Sequence, residues 1–237
     1  MCGIFGCITA NGNVAPIIHS SLKRLEYRGY DSVGIATIDN CKLAIKKDSG
    51  KIDEVDKLVN LADMPGSVGI GHTRWATHGA PLKINAHPHI DCLNEIAVVH
   101  NGIIENYSEL RTELENKGHT FISRTDTEVI PHLVEEILKN NPTLTLTDAV
   151  QEMLKKIVGS YAIAIVYSKE PDKIVCARNE SPLVIGIGKD ALFCASDLTA
   201  FLPMTNKAVL INDYELVVLT STNYQIRNLQ TGDLVAR

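Results

Sequence analysis

The chain has 237 residues, 45% of them hydrophobic and 22% charged, a balance that suits one large or two small globular domains and excludes a disordered or fibrous chain. Lys plus Arg number 23 and Asp plus Glu 28, so the net charge is −5, which argues against nucleic acid or an anionic membrane as the main partner. No apolar run reaches the roughly 18–20 residues of a membrane span, residues 1–10 lack a signal-type pattern, and the six cysteines show no paired C-x-x-C spacing; the expectation is a reducing, cytoplasmic setting with neither a zinc ribbon nor a disulfide framework.

Residues 2–9 read as a first strand. Pro16 then suits a helix start, and Ile18, Leu22 and Leu25 share one helical face. Strand-like apolar segments follow at 32–39, 42–46, 67–72 and 95–100. Asn106 is placed to cap a helix carrying Leu110 and Leu114, ended by Gly118. Asp126 precedes a second periodic stretch with Val129, Ile130, Leu133, Val134 and Ile137, and Thr147 precedes a third with Val150, Met153, Leu154 and Ile157, ended by Gly159. Strands return at 160–167, 174–177, 183–187, 208–211 and 216–219, and residues 228–237 read as a polar exit segment. Several strands, such as Ile163 to Val166, are continuously apolar and therefore read as buried on both faces. Long helices between such strands predict sheets covered by helices. Nothing splits the chain, so residues 1–237 are read as one domain.

Chemistry enters at Cys2. A small second residue permits removal of Met1, leaving one residue with both a thiol and a free α-amine. That amine has an ordinary pKa of about 7.7–8.0 and can serve as a base near neutrality. Taken alone, Cys2 reads better as a small buried hydrophobe. Its surroundings change the weighing. Gly3 and Gly6 frame it in Cys2-Gly3-Ile4-Phe5-Gly6, and polar clusters stand at strand ends and helix starts: 25–32 (LEYRGYDS), 74–79 (RWATHG), Asn101-Gly102 and 125–128 (TDTE).

These stretches, with the opening C-G-I-x-G, N-A-H-P-H and H-N-G-I-I-E-N-Y, resemble the class II glutamine amidotransferases, whose glutaminase domain is an N-terminal-nucleophile hydrolase. Within that class the resemblance is strongest to the glutaminase half of the glucosamine-6-phosphate synthases, and it spans roughly residues 2–220. The one departure noted is Val33, where alanine is typical. The resemblance implies an α+β fold, a four-layer αββα sandwich of two mainly antiparallel sheets. It implies hydrolysis of the glutamine side-chain amide to glutamate and ammonia through a Cys2 thioester. The ammonia is expected to pass to a sugar-isomerase domain or subunit that aminates fructose 6-phosphate. The chain is then either an excised domain or a stand-alone glutaminase, with glutamine as substrate, no nucleic acid or membrane partner, and a homo-oligomer compatible with this reading.

By the same resemblance, Asn101 and Gly102 form the oxyanion hole, Arg74 holds the substrate carboxylate, and Asp126 its ammonium. Thr77 and His78 add hydrogen bonds, Trp75 belongs to a flap, and Arg28 braces the loop behind Cys2. Each has a plainer alternative: a type I′ turn for Asn101-Gly102, a solvated charge for Arg74, a helix N-cap for Asp126, a core anchor for Trp75. No cofactor and no metal are expected. The histidines His72, His78, His87, His89 and His100, with Asp91 and Cys92 following His87-Pro88-His89, match no standard zinc spacing and are read as pocket histidines satisfied by neighbours.

Overall fold

Neighbouring residues of a strand point to opposite faces, and in this protein both faces are covered. The computed structural model describes residues 2–75 and 80–237. In chain order it holds β1 (Gly3–Thr9), α1 (Ala15–Leu25), β2 (Ser32–Asp39), β3 (Lys42–Ser49), α2 (Ile52–Val59), β4 (Val68–Arg74), β5 (His89–Ile90), β6 (Ile96–Ile104) and α3 (Tyr107–Asn116). There follow α4 (Val129–Asn140), α5 (Leu146–Leu154), β7 (Gly159–Tyr167), β8 (Glu170–Asn179), β9 (Val184–Ile187), β10 (Ala191–Ala195), β11 (Ala208–Leu210), β12 (Glu215–Leu219), β13 (Tyr224–Asn228) and β14 (Leu234–Val235).

One sheet runs β11-β9-β10-β1-β4-β2-β3 and the other β14-β13-β12-β8-β7-β6-β5. Among the described residues every strand pairing is antiparallel. Ile4, Ile8, Val68 and Ile70 of the first sheet meet Ala97, Val99, Ala164 and Val217 of the second in a central apolar layer. Ile18, Leu22 and Leu25 of α1, with Ile52 and Val55 of α2, cover the outer face of the first sheet. Leu110 of α3, Val129 to Ile137 of α4 and Val150 of α5 cover the second through Val98, Ile163 and Val175. Helix, sheet, sheet, helix is the expected four-layer αββα sandwich.

The local readings differ in several places. α5 begins two residues early: Thr145 Oγ1 accepts from Asp148 N, and the Asp148 carboxylate accepts from Thr145 N. That reciprocal capping box outweighs the threonine at 147. Asn106 stands at the start of α3, but its side chain bridges Lys156 O and Val158 N instead of capping. β6 continues through Asn101 and Gly102, where the strand was expected to end at residue 100. Residues 228–237, read as an exit segment, return as β14 against β13, and Arg237 meets the buried Glu215 carboxylate at 2.6 Å.

Candidate active site

Strand parity carries polar side chains into the space between the sheets. Val68 and Ile70 of β4 face the second sheet, and so does His72 two residues on. Ala97 and Val99 of β6 face the first sheet, and so does Asn101. The two meet where the apolar layer ends: His72 Nε2 lies 2.9 Å from Asn101 Oδ1. The Asn101 amide donates from Nδ2 to the Cys2 carbonyl at 2.9 Å. With Nδ2 donating, Oδ1 accepts, so the proton sits on His72 Nε2. Burial, only partly opposed by the Asn101 bond, pushes the His72 pKa down to about 3, and the ring stays neutral.

Cys2 enters β1 beside Gly3, which pairs with Thr73 of β4. The Trp75 N–H donates to Cys2 Sγ at 3.2 Å, and the thiol faces Trp75 O at 3.5 Å. Burial raises the thiol pKa, while the Trp75 backbone and the Arg74 charge pull the other way. The resting sulfur is therefore a thiol, and it needs a base to become a nucleophile.

Arg74 closes β4, its guanidinium largely buried, with the carboxylates of Asp126 and Asp31 supporting a charge that burial disfavours. The 29–31 loop crosses directly over it. Asp31 N donates to Arg74 O at 2.9 Å. A Cβ at Gly29 would lie 2.7 Å from Arg74 C and 2.9 Å from Trp75 N, so only glycine permits this approach. Asp126 does not cap α4. Its Oδ2 accepts from Ile104 N at 2.8 Å, and the N-cap position of α4 is Glu128. The carboxylate is thus held against the end of β6, near Asn101 and Gly102.

Trp75 is half exposed, stands outside the three apolar clusters, and meets Tyr30 edge-on at 5.3 Å. Arg28 bonds Asp197 Oδ2 at 2.8 Å and Ser196 O at 3.2 Å. Ser196 Oγ in turn accepts from Ile4 N at 2.9 Å, so Arg28 steadies the segment flanking the start of β1. Thr77 and His78 lie outside the described residues.

The comparisons with known proteins bear on this constellation. Residues 72–203 match the glutamine amidotransferase domain family. The chain belongs to that family. As a glutamine amidotransferase it is an enzyme. It is 56% identical over 219 residues to glutamine–fructose-6-phosphate aminotransferase (isomerizing) of Methanothermobacter thermautotrophicus, covering 92% of this chain and 37% of that protein. It is 50% identical over 237 residues to the enzyme of the same name from Thermococcus kodakarensis, covering all of this chain and 39% of that protein. The chain thus spans under two fifths of the length of these relatives. Among solved structures, the glutamine phosphoribosylpyrophosphate amidotransferase of B. subtilis superposes with a TM-score of 0.82 at 30% identity, covering 97% of this chain and 50% of that one. The four-layer sandwich is accordingly the N-terminal-nucleophile hydrolase fold of class II glutamine amidotransferases.

Three residues of this candidate site carried no specific role in the sequence: His72, Asp31 and Ser196. His72 could have been found by continuing the alternation of Val68 and Ile70. Ser196, distant in sequence, gave no signal. The run of histidines is divided between partners. His87 stacks on His72 at 4.1 Å and its Nδ1 accepts from His100 N. His89 Nε2 and His100 Nδ1 meet Thr125 Oγ1 and Thr127 Oγ1, at 3.0 and 2.9 Å. Cys92 is not drawn into this group.

Proposed function

We propose that the domain hydrolyses the side-chain amide of glutamine, with Cys2 as nucleophile once Met1 is removed. The Cys2 α-amine takes the thiol proton, and the thiolate attacks the amide carbon. Asn101 Nδ2 and the Gly102 N–H stabilise the oxyanion that forms. The protonated amine returns the proton to the departing nitrogen, the C–N bond breaks, and ammonia leaves a γ-glutamyl thioester. Water then hydrolyses the thioester to glutamate, regenerating the thiol. Arg74 clamps the α-carboxylate and Asp126 the α-ammonium, Trp75 belongs to a flap over the amino acid, and Thr77 and His78 are assigned further hydrogen bonds to it. The observation that carries this reading is the hydrogen bond from Asn101 Nδ2 to the carbonyl of Cys2 itself, which sets an amide donor beside the nucleophile.

The relatives' name extends the proposal. Ammonia released here passes to a sugar-isomerase domain or subunit and aminates fructose 6-phosphate to glucosamine 6-phosphate. No described helix is long and apolar enough to cross a membrane, and a cytoplasmic setting belongs to the same proposal.

The test is intact mass and ammonia release after exposure to an electrophilic glutamine analogue. Chains lacking Met1 are expected to gain one adduct and lose activity together, and Cys2→Ala to gain none. Glutamine hydrolysis at an undiminished rate by chains retaining Met1 overturns the amine as base. Amide-labelled glutamine supplied with the isomerase partner tests the acceptor, because label must appear in glucosamine 6-phosphate.

A further inference from the structure

On the side of the second sheet away from Arg74, four potential ligands converge that the glutaminase reaction does not use. Cys92 comes from the turn between β5 and β6, His119 from just beyond α3, and His132 and Glu135 from successive turns of α4. One donor atom from each lies within 4.8 Å of the other three. Cys92 Sγ is 3.5 Å from His132 Nδ1 and 3.7 Å from His119 Nδ1. The two Nδ1 atoms are 3.3 Å apart, and Glu135 Oε2 lies 3.1 Å from one and 3.4 Å from the other. A tetrahedral zinc site with bonds of about 2.0–2.3 Å has ligand–ligand edges of about 3.3–3.6 Å. The measured spacings fall close to that range.

The outer nitrogens say which lone pairs face inward. His119 Nε2 lies 3.3 Å from Glu136 Oε2, and His132 Nε2 lies 3.9 Å from Glu128 Oε1. The Glu136 carboxylate favours a proton on His119 Nε2, while His132 Nε2 is buried without a hydrogen-bond partner and faces the Glu128 carboxylate beyond hydrogen-bond reach. With both protons outward, the two Nδ1 lone pairs face one point together with a carboxylate oxygen and a sulfur. A carboxylate behind a metal-bound imidazole is the usual orienting arrangement. Both histidines are almost fully buried, while Cys92 is exposed and leaves the cluster open to an ion arriving from solvent. A cation at its centre satisfies all four.

We infer that Cys92, His119, His132 and Glu135 form a tetrahedral zinc site outside the catalytic centre. Sulfur with imidazole selects zinc over magnesium or calcium, and four protein ligands make a closed, structural site. On binding, Cys92 gives up its thiol proton to solvent. The ion ties the β5–β6 turn and the end of α3 to α4. Glu128, which opens α4, accepts from Ile122 N and Ser123 N at 2.9 and 2.7 Å, so the tie reaches the loop that carries Asp126.

The test uses the 237-residue chain purified without a histidine tag. Elemental analysis is expected to find about one zinc per chain, retained in Cys2→Ala and largely lost in Cys92→Ser and His132→Gln. Chelation should lower the Tm of the parent chain and leave that of Cys92→Ser unchanged. Cobalt replacing zinc should give tetrahedral ligand-field bands and a thiolate charge-transfer band, the latter absent in Cys92→Ser. Circular dichroism confirms that each variant is folded, and the parent chain supplies the cobalt spectrum even if one is not. Less than a tenth of an equivalent of zinc after dialysis against it, with no charge-transfer band in the parent, overturns the site. So does equal zinc in the parent and Cys92→Ser.

Discussion

Gly102 shows how narrowly a single residue can be constrained. It sits within β6 at φ +130°, and a Cβ there would lie 2.0 Å from Ser160 O and 2.6 Å from Ser160 C, both backbone atoms of the neighbouring strand. Neither can yield without β6 and β7 moving apart. Gly102→Ala must therefore displace the strand at the position adjoining Asn101. Losing one oxyanion donor costs about 10²–10³ in rate. The expected outcome is a fall of that order in kcat for glutamine hydrolysis, measured by ammonia release, with a smaller change in KM, because the carboxylate clamp Arg74 lies on β4 of the other sheet. A kcat within twofold of the parent would remove Gly102 from the oxyanion hole.

The start of β1 is held by more than its ladder with β4. Beyond the Phe5–Ala195 pair, Ile4 O accepts from Ser196 N at 3.1 Å and Ile4 N donates to Ser196 Oγ at 2.9 Å. Arg28 and Tyr27 fasten the same segment through Asp197. Ser196→Ala leaves the Ile4 N–H buried without its acceptor, a loss of about 1–3 kcal/mol. Denaturant unfolding should show that loss. Because Ile4 is two residues from the nucleophile, kcat should fall more than KM rises, and an unchanged kcat would mean Cys2 is positioned without this brace. None of this was legible in the sequence, since Ser196 and Ile4 are 192 residues apart. What was legible is what repeats locally. Residues 32–39 were read as a strand with its observed limits, and the face of Ile18, Leu22 and Leu25 marked α1. α2 was missed although Ile52, Val55 and Val59 repeat at helical spacing, because its eight residues make only about two turns. Asp126 reads as a helix cap because Asp before an apolar run usually is one. Its true partner, Ile104 N, becomes adjacent only when β6 lies beside the loop before α4. The Cys92 cluster joins segments 27 and 40 residues apart, a spacing with no periodic signature.

Across the whole molecule, acid should act first on the histidines around the inter-sheet site. His72, His87, His89 and His100 are all buried, and burial is the leading cause that lowers each pKa, to about 3 for His72. An unfolded histidine titrates near 6.5. Between that value and the depressed folded one, the unfolded chain binds protons that the folded chain refuses, so stability must fall as pH drops below about 6.5 and be fully present above it. Each such group adds up to about 1.4 kcal/mol per pH unit to the slope. His87 isolates one of them, because it contacts His72, His89 and the His100 N–H and has no proposed contact with glutamine. His87→Gln replaces the ring with a group that does not titrate. Unfolding free energies of parent and variant, measured from pH 7 to pH 5, should converge as the pH falls, the variant having lost one proton's worth of slope. Curves that stay parallel across that window would mean that His87 is protonated in the folded protein. The neutral ring stack behind Asn101 would then have to be abandoned.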